Sequence, residues 1–129
     1  MEKAKTEYIQ YRILRAKQTL HDAEILALSK SWNSSINRLY YVCFYAVHAL
    51  LFKYNFTAKT HSGAKIKFFQ EFIRTGKIDK EFSKLYSDLL DWRYEGDYAD
   101  FIDFEEDVVM SSIGKVKQFI STVEKVIAD

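Results

Sequence analysis

Apolar residues recur at helical spacing along most of the 129-residue chain. Near the start, Ile9, Ile13, Ala16, Leu20, Ala23 and Ala27 fall at alternating steps of four and three, the seam of a helix packed in a bundle. This spacing predicts a helix from about residue 3 to residue 30. Trp32-Asn33-Ser34-Ser35 interrupts the pattern, and Asn33 and Ser34 are candidate N-caps for a second helix over about residues 35–54. There Tyr40, Tyr41, Val42, Cys43, Phe44, Tyr45, Ala46, Val47, Ala49, Leu50, Leu51 and Phe52 cover the whole circumference. A helix apolar all round is buried on most sides, and a second copy of the chain would cover what one short chain leaves open. The expectation is a two-fold homodimer with an aromatic-rich interface.

Residues 55–60 read as a loop, with Thr60 or Ser62 capping a short third helix that carries Ile66, Phe69, Phe72 and Ile73 and stops at Gly76. Asp79 opens a fourth helix with Phe82, Leu85, Tyr86, Leu89 and Trp92 on one side, ended by Gly96. Asp103 and Glu106 have the spacing of a capping box. They would start a last helix whose Val109, Ile113, Val116, Ile120, Val123 and Ile127 again alternate by four and three. The expected fold is all-α: an up-and-down antiparallel bundle of four long helices and one short one, forming a single domain over residues 1–129.

Composition narrows the class. Proline is absent and glycine occurs only four times, which disfavours turn-rich sandwiches and barrels. At 48% hydrophobic residues the chain can bury a core without disulfides, and its one cysteine, Cys43, lies in an apolar run as a small core residue. The longest uncharged run, Leu39 to Phe52, is 14 residues. A membrane span needs about 20, so no membrane association is expected. The charged, periodic N-terminus has no apolar leader core, and the expected location is the cytoplasm. Net charge is only +1, yet it is unevenly spread: residues 53–80 carry +5 and residues 81–107 carry −8. Lys59, Lys65, Lys67, Arg74 and Lys77 could form a basic surface for an anionic partner; the plain alternative is solvated helix faces.

The candidate chemistry is sparse. A di-iron bundle needs Glu-x-x-His pairs, but Gln18, Tyr45 and Ala58 stand three residues before His21, His48 and His61. Zinc spacing, a phosphate-cradling glycine loop and a nucleophile elbow are all missing, so no metal or cofactor is expected. His48 lies in the most apolar helix and reads as a core or interface residue, and His21, beside Asp22, as a surface one. His61, among Lys59, Thr60 and Ser62, is either a structural loop residue or a base awaiting a partner group. In Arg93-Tyr94-Glu95-Gly96-Asp97-Tyr98, an arginine fork, a glycine turn and a tyrosine could hold a phosphate or nucleotide. The alternative is an ion pair of Arg93 with Asp97 or Glu95.

Four stretches in order are similar to the HEPN domain family, above all to its small stand-alone prokaryotic members. They are Asn37-Arg38-Leu39-Tyr40-Tyr41-Val42-Cys43-Phe44-Tyr45-Ala46, then Lys59-Thr60-His61-Ser62-Gly63, then Phe72-Ile73-Arg74-Thr75-Gly76-Lys77-Ile78, then Arg93 to Tyr98. The similarity runs from about residue 8 to residue 125. It implies a helical bundle that commonly dimerises and pairs with a minimal nucleotidyltransferase in toxin–antitoxin-type systems. It further implies metal-independent ribonuclease chemistry built on an arginine, four to six residues and a histidine, two such motifs meeting at a dimer cleft. Carried onto this chain, the arginine falls on Arg93 and the histidine position on Tyr98. A tyrosine, with an ordinary pKa near 10, is a poor base at neutral pH. The expectation is therefore a dimerising module that pairs with a nucleotidyltransferase and binds a nucleotide near Arg93, with Asp97, Tyr98 and His61 as ligand candidates. The alternative is a ribonuclease toxin that uses Arg93 with Tyr98 or His61 on RNA.

Overall fold

A computed structural model describes residues 2–98 and 103–129, with side chains for all of these except 94–98. Among the described residues the chain is all-helical, with α1 at Lys3–Leu28, α2 at Trp32–Lys53, α3 at His61–Phe68, α4 at Lys80–Tyr98 and α5 at Glu106–Ala128. One π-helical turn, Phe69–Ile73, continues α3. This is the expected bundle of four long helices and one short one.

The all-round apolar helix is the central one. α2 packs against α1, α3, α4 and α5, and Ile36, Leu39, Tyr40, Val42, Cys43, Ala46, Val47, Ala49 and Leu50 are wholly buried. The chain's own helices thus cover most of it. A stripe at helical spacing, Tyr41, Phe44, Tyr45 and His48, stays half-buried, and Phe52 is exposed. Along α1 the small residues Ala16, Ala23 and Ala27 sit at the bottom of the seam and allow a close approach. Ser35 of α2 uses it, donating from Oγ to the Ala23 carbonyl at 2.8 Å. α5 buries Val109, Ile113, Val116, Ile120 and Val123 as its spacing predicts. Lys17–Glu124 (3.0 Å) and Lys117–Glu24 (3.1 Å) tie its rim to α1.

Three boundaries differ from expectation. α2 begins at Trp32, so the Asn33-Ser34 pair lies inside it; Asn33 Oδ1 instead accepts the Phe104 amide, 3.0 Å away, at the approach to α5. α5 begins at Glu106 with Glu105 at its N-cap position, and Asp103 makes no capping box. Gly96 does not end α4, whose backbone stays helical through Tyr98.

The α3 region shows why one predicted face was wrong. The Arg74 amide bonds to the Phe69 carbonyl five residues back (2.8 Å), so one extra residue enters the turn and the helix rotates. Phe68, Phe72 and Ile73 face the core, while Ile66 and Phe69 are left exposed. Gly76 then turns the chain at φ 78°, a left-handed conformation suited to glycine. Asp79 Oδ1 caps α4 by accepting the Glu81 amide at 2.9 Å.

Candidate functional site

The polar chemistry gathers where α2, the start of α3 and the second half of α4 meet. Thr60 caps α3, its Oγ1 accepting the Gly63 amide at 2.9 Å. That bond positions the next residue, His61, over α2. There the His61 ring packs against Phe44 (4.7 Å between centroids) and Tyr40 (5.5 Å), and Nδ1 is hydrogen-bonded to the Tyr40 hydroxyl. His61 is therefore not the helix cap, but a ring held by a buried tyrosine.

Arg93 arrives from α4. Its guanidinium lies over the Tyr40 ring at 5.3 Å and the Tyr41 ring at 5.8 Å, and Nη1 donates to the Tyr41 hydroxyl at 3.3 Å. A second cation, Arg38, lies over Tyr41 at 5.0 Å. Behind them Tyr86 stacks on Tyr40 at 5.9 Å and 15°. A cleft of about 440 Å³ opens in front, lined by His61, Ser62, Lys65, Ile66, Leu90, Asp91 and Arg93. Two cations, a hydroxyl and an imidazole thus share one wall space with a single carboxylate, Asp91, which suits an anionic group.

Burial shifts the pKa of four groups in and beside this cluster. The His61 pKa is lowered, first by burial and then by the Arg93 charge, so the ring stays neutral at physiological pH. His48, one turn from Phe44 and 4.2 Å from it between ring centroids, is lowered by burial, Arg12 and His61. Burial pushes Tyr40 up to about 12, partly offset by the neighbouring Tyr86 hydroxyl and by Arg93. Tyr86 is raised further, chiefly by burial.

Of the residues singled out from sequence, Arg93 and His61 are brought together on one cleft. The side chains of Asp97 and Tyr98 lie outside the described residues. Cys43 is buried and unpaired, its thiol pKa raised by burial, and His21 is exposed. The participation of Tyr40 and Tyr41 was missed, while Lys65 was singled out only as part of a basic surface. The two tyrosines read as core aromatics, and the only available signal was that a buried tyrosine needs a partner for its hydroxyl. Among the described residues no three His, Cys, Asp or Glu side chains gather in one place, and no helix is long and apolar enough to cross a membrane.

The fold is thus an all-helical bundle in which an arginine and a histidine line one cleft. The sequence matches the HEPN domain family over residues 9–126, and the chain belongs to that family. It is 38% identical over 125 residues to a UPF0332 protein of Thermotoga maritima, covering 97% of this chain and 95% of that protein. It is 29% identical to a Methanocaldococcus jannaschii protein named as a candidate toxin, over 88% of this chain and 77% of the relative. A Gloeobacter violaceus UPF0332 protein is 36% identical over 66% of this chain and 68% of its own length.

Proposed function

We propose that the chain is a toxin–antitoxin-type HEPN module that binds a nucleotide through its phosphate in the Arg93–His61 cleft. In this reading it also dimerises and pairs with a minimal nucleotidyltransferase. The observation that carries the reading is the convergence of Arg93, Lys65, Ser62 and neutral His61 around one opening, with aromatic rings of α2 behind them. An arginine fork and a lysine favour a phosphate, and the rings hold the guanidinium in place. The family membership and the toxin name of one relative support the wider setting.

Calorimetry with AMP and ATP tests the nucleotide. The expected result is saturable binding that Arg93→Ala weakens by about tenfold or more, the range of a lost charged hydrogen-bond donor. Undiminished binding by that variant would remove the cleft from the argument. Light scattering tests the dimer, for which a buried total above about 1,200 Å² is expected.

A second reading, a metal-independent ribonuclease with Arg93 and His61, is favoured by one observation: the two residues line the same cleft, where burial and the Arg93 charge lower the His61 pKa. Cleavage of total RNA by the wild type, abolished in Arg93→Ala and His61→Ala, would select it.

A further inference from the structure

The His61 ring has two nitrogens, and its neutral form carries a proton on only one. Nδ1 is committed to the Tyr40 hydroxyl. What matters is which partner donates. Tyr40 is wholly buried and Tyr86 is 1% exposed, so neither hydroxyl has solvent for a partner. The two hydroxyls are neighbours and influence each other's ionisation.

Two proton arrangements are possible. In one, Tyr40 donates to Nδ1. In the other, Nδ1–H donates to Tyr40, and the Tyr40 proton needs a further acceptor. The neighbouring Tyr86 hydroxyl is itself buried without a hydrogen-bond partner among the described residues, so it does not take that proton. The second arrangement would therefore strand the buried Tyr40 donor, while the first satisfies it. A buried phenol with no base beside it but the imidazole is also the natural donor of the pair.

We propose that Tyr40 is a positioning residue that fixes His61 as the Nε2–H tautomer, making it a hydrogen-bond donor to an anion in the cleft. Nδ1 is turned to Tyr40 and His61 lines the cleft, so Nε2 is the ring nitrogen left to serve it. There it adds a third donor to Arg93 and Lys65. The anion part of this statement rests on the phosphate-binding function proposed above; the tautomer does not. The consequence for chemistry is sharp. A resting His61 with its proton on Nε2 cannot accept one there, so it is poorly suited to deprotonate a ribose hydroxyl in the cleft.

Long-range proton–nitrogen correlation NMR on the isotope-labelled full chain at neutral pH reads the tautomer directly, with His61→Gln assigning the signals. The expected wild-type pattern has Nε2 protonated and Nδ1 bare. Tyr40→Phe keeps the ring and removes the donor, and is expected to shift His61 toward a mixture of tautomers. Tyr86→Phe leaves Tyr40 free to donate and is expected to retain the wild-type pattern. A wild-type spectrum with Nδ1 protonated would overturn the assignment without recourse to any variant. So would an unchanged His61 pattern in a folded Tyr40→Phe chain. AMP titration of the same samples separates the two claims: wild-type protein that ignores AMP sinks the nucleotide reading and leaves the tautomer standing. If AMP binds, Tyr40→Phe is expected to weaken it several-fold, and equal affinity would remove the donor role.

Discussion

The two ends of α2's surroundings are built on different principles. Against α1 and α5 the contacts are small, apolar and closed: alanines at the seam, aliphatic residues along α5, and two buried serines that bond to backbone carbonyls, Ser35 to Ala23 and Ser112 to Val108. Against α3 and α4 the contacts are large and aromatic, and they enclose ionisable tips: Tyr40, Tyr86, His48, His61 and Arg93. There Nε2 of His48 is buried without a hydrogen-bond partner among the described residues. Desolvated polar groups are costly, so that end contributes less to stability than its size suggests. The difference teaches a division of labour. The aliphatic side holds the fold, and the aromatic side uses that stability to keep titratable groups away from their ordinary protonation.

The comparison breaks most readily in the core. Leu50 is wholly buried on α2, and Leu50→Ala is expected to cost about 2–5 kcal/mol in urea unfolding, through lost burial and the cavity left behind. A cost below about 1 kcal/mol would mean that the core is not the anchor. Ser35→Ala sharpens the polar half of the seam. It removes the bond to Ala23, and a loss of about 1 kcal/mol is expected, because the carbonyl keeps its place in α1.

The aromatic end is tested with acid. Both His48 and His61 have lowered pKa values, so each takes up a proton less readily in the folded chain than in the unfolded one. Protonation then favours unfolding. Their stabilising contribution is complete above about pH 6.5 and is lost as the pH falls through that value toward the lower folded values. Urea midpoints should fall between about pH 7.5 and pH 5, and less so in a His48→Gln, His61→Gln double variant. A midpoint equally sensitive in both proteins would assign the acid effect to carboxylates. The smallest effect belongs to the exposed rim. Lys17 and Glu124 are each about half exposed, and Lys17→Ala should change stability by a few tenths of a kcal/mol at most, less in high salt.

The same division decides what was legible in the sequence. The seams of α1 and α5 repeat by four and three and were read residue by residue, since helix periodicity is a local property. The limits of the short third helical stretch were legible too, because Thr60 and Gly76 carry their own turn chemistry. The start of α2 was misplaced because Asn33 and Ser34 look like caps, whereas Asn33 spends its side chain on a distant amide. The exposed face of Ile66 and Phe69 was misread because nothing in the local sequence announces the π-turn that rotates it. Arg93 and His61 were both singled out and grouped as candidates for one site, but the geometry of their meeting was not legible. It depends on how α3 and α4 each pack on Tyr40, which is a long-range matter. Tyr40 itself hid in an apolar run, where the ring masks the hydroxyl.

One feature of the core reaches beyond structure. Cys43 is the chain's single thiol, wholly enclosed on the central helix, and burial holds it in its unreactive protonated form. A thiol reagent in the surrounding solution can react only during the moments when the bundle parts around α2. With reagent in excess, the slow phase of its uptake counts those openings, and its dependence on denaturant separates a local breathing of the helices from complete unfolding. The molecule carries its own clock for these events, set in the middle of its fold and requiring no added label.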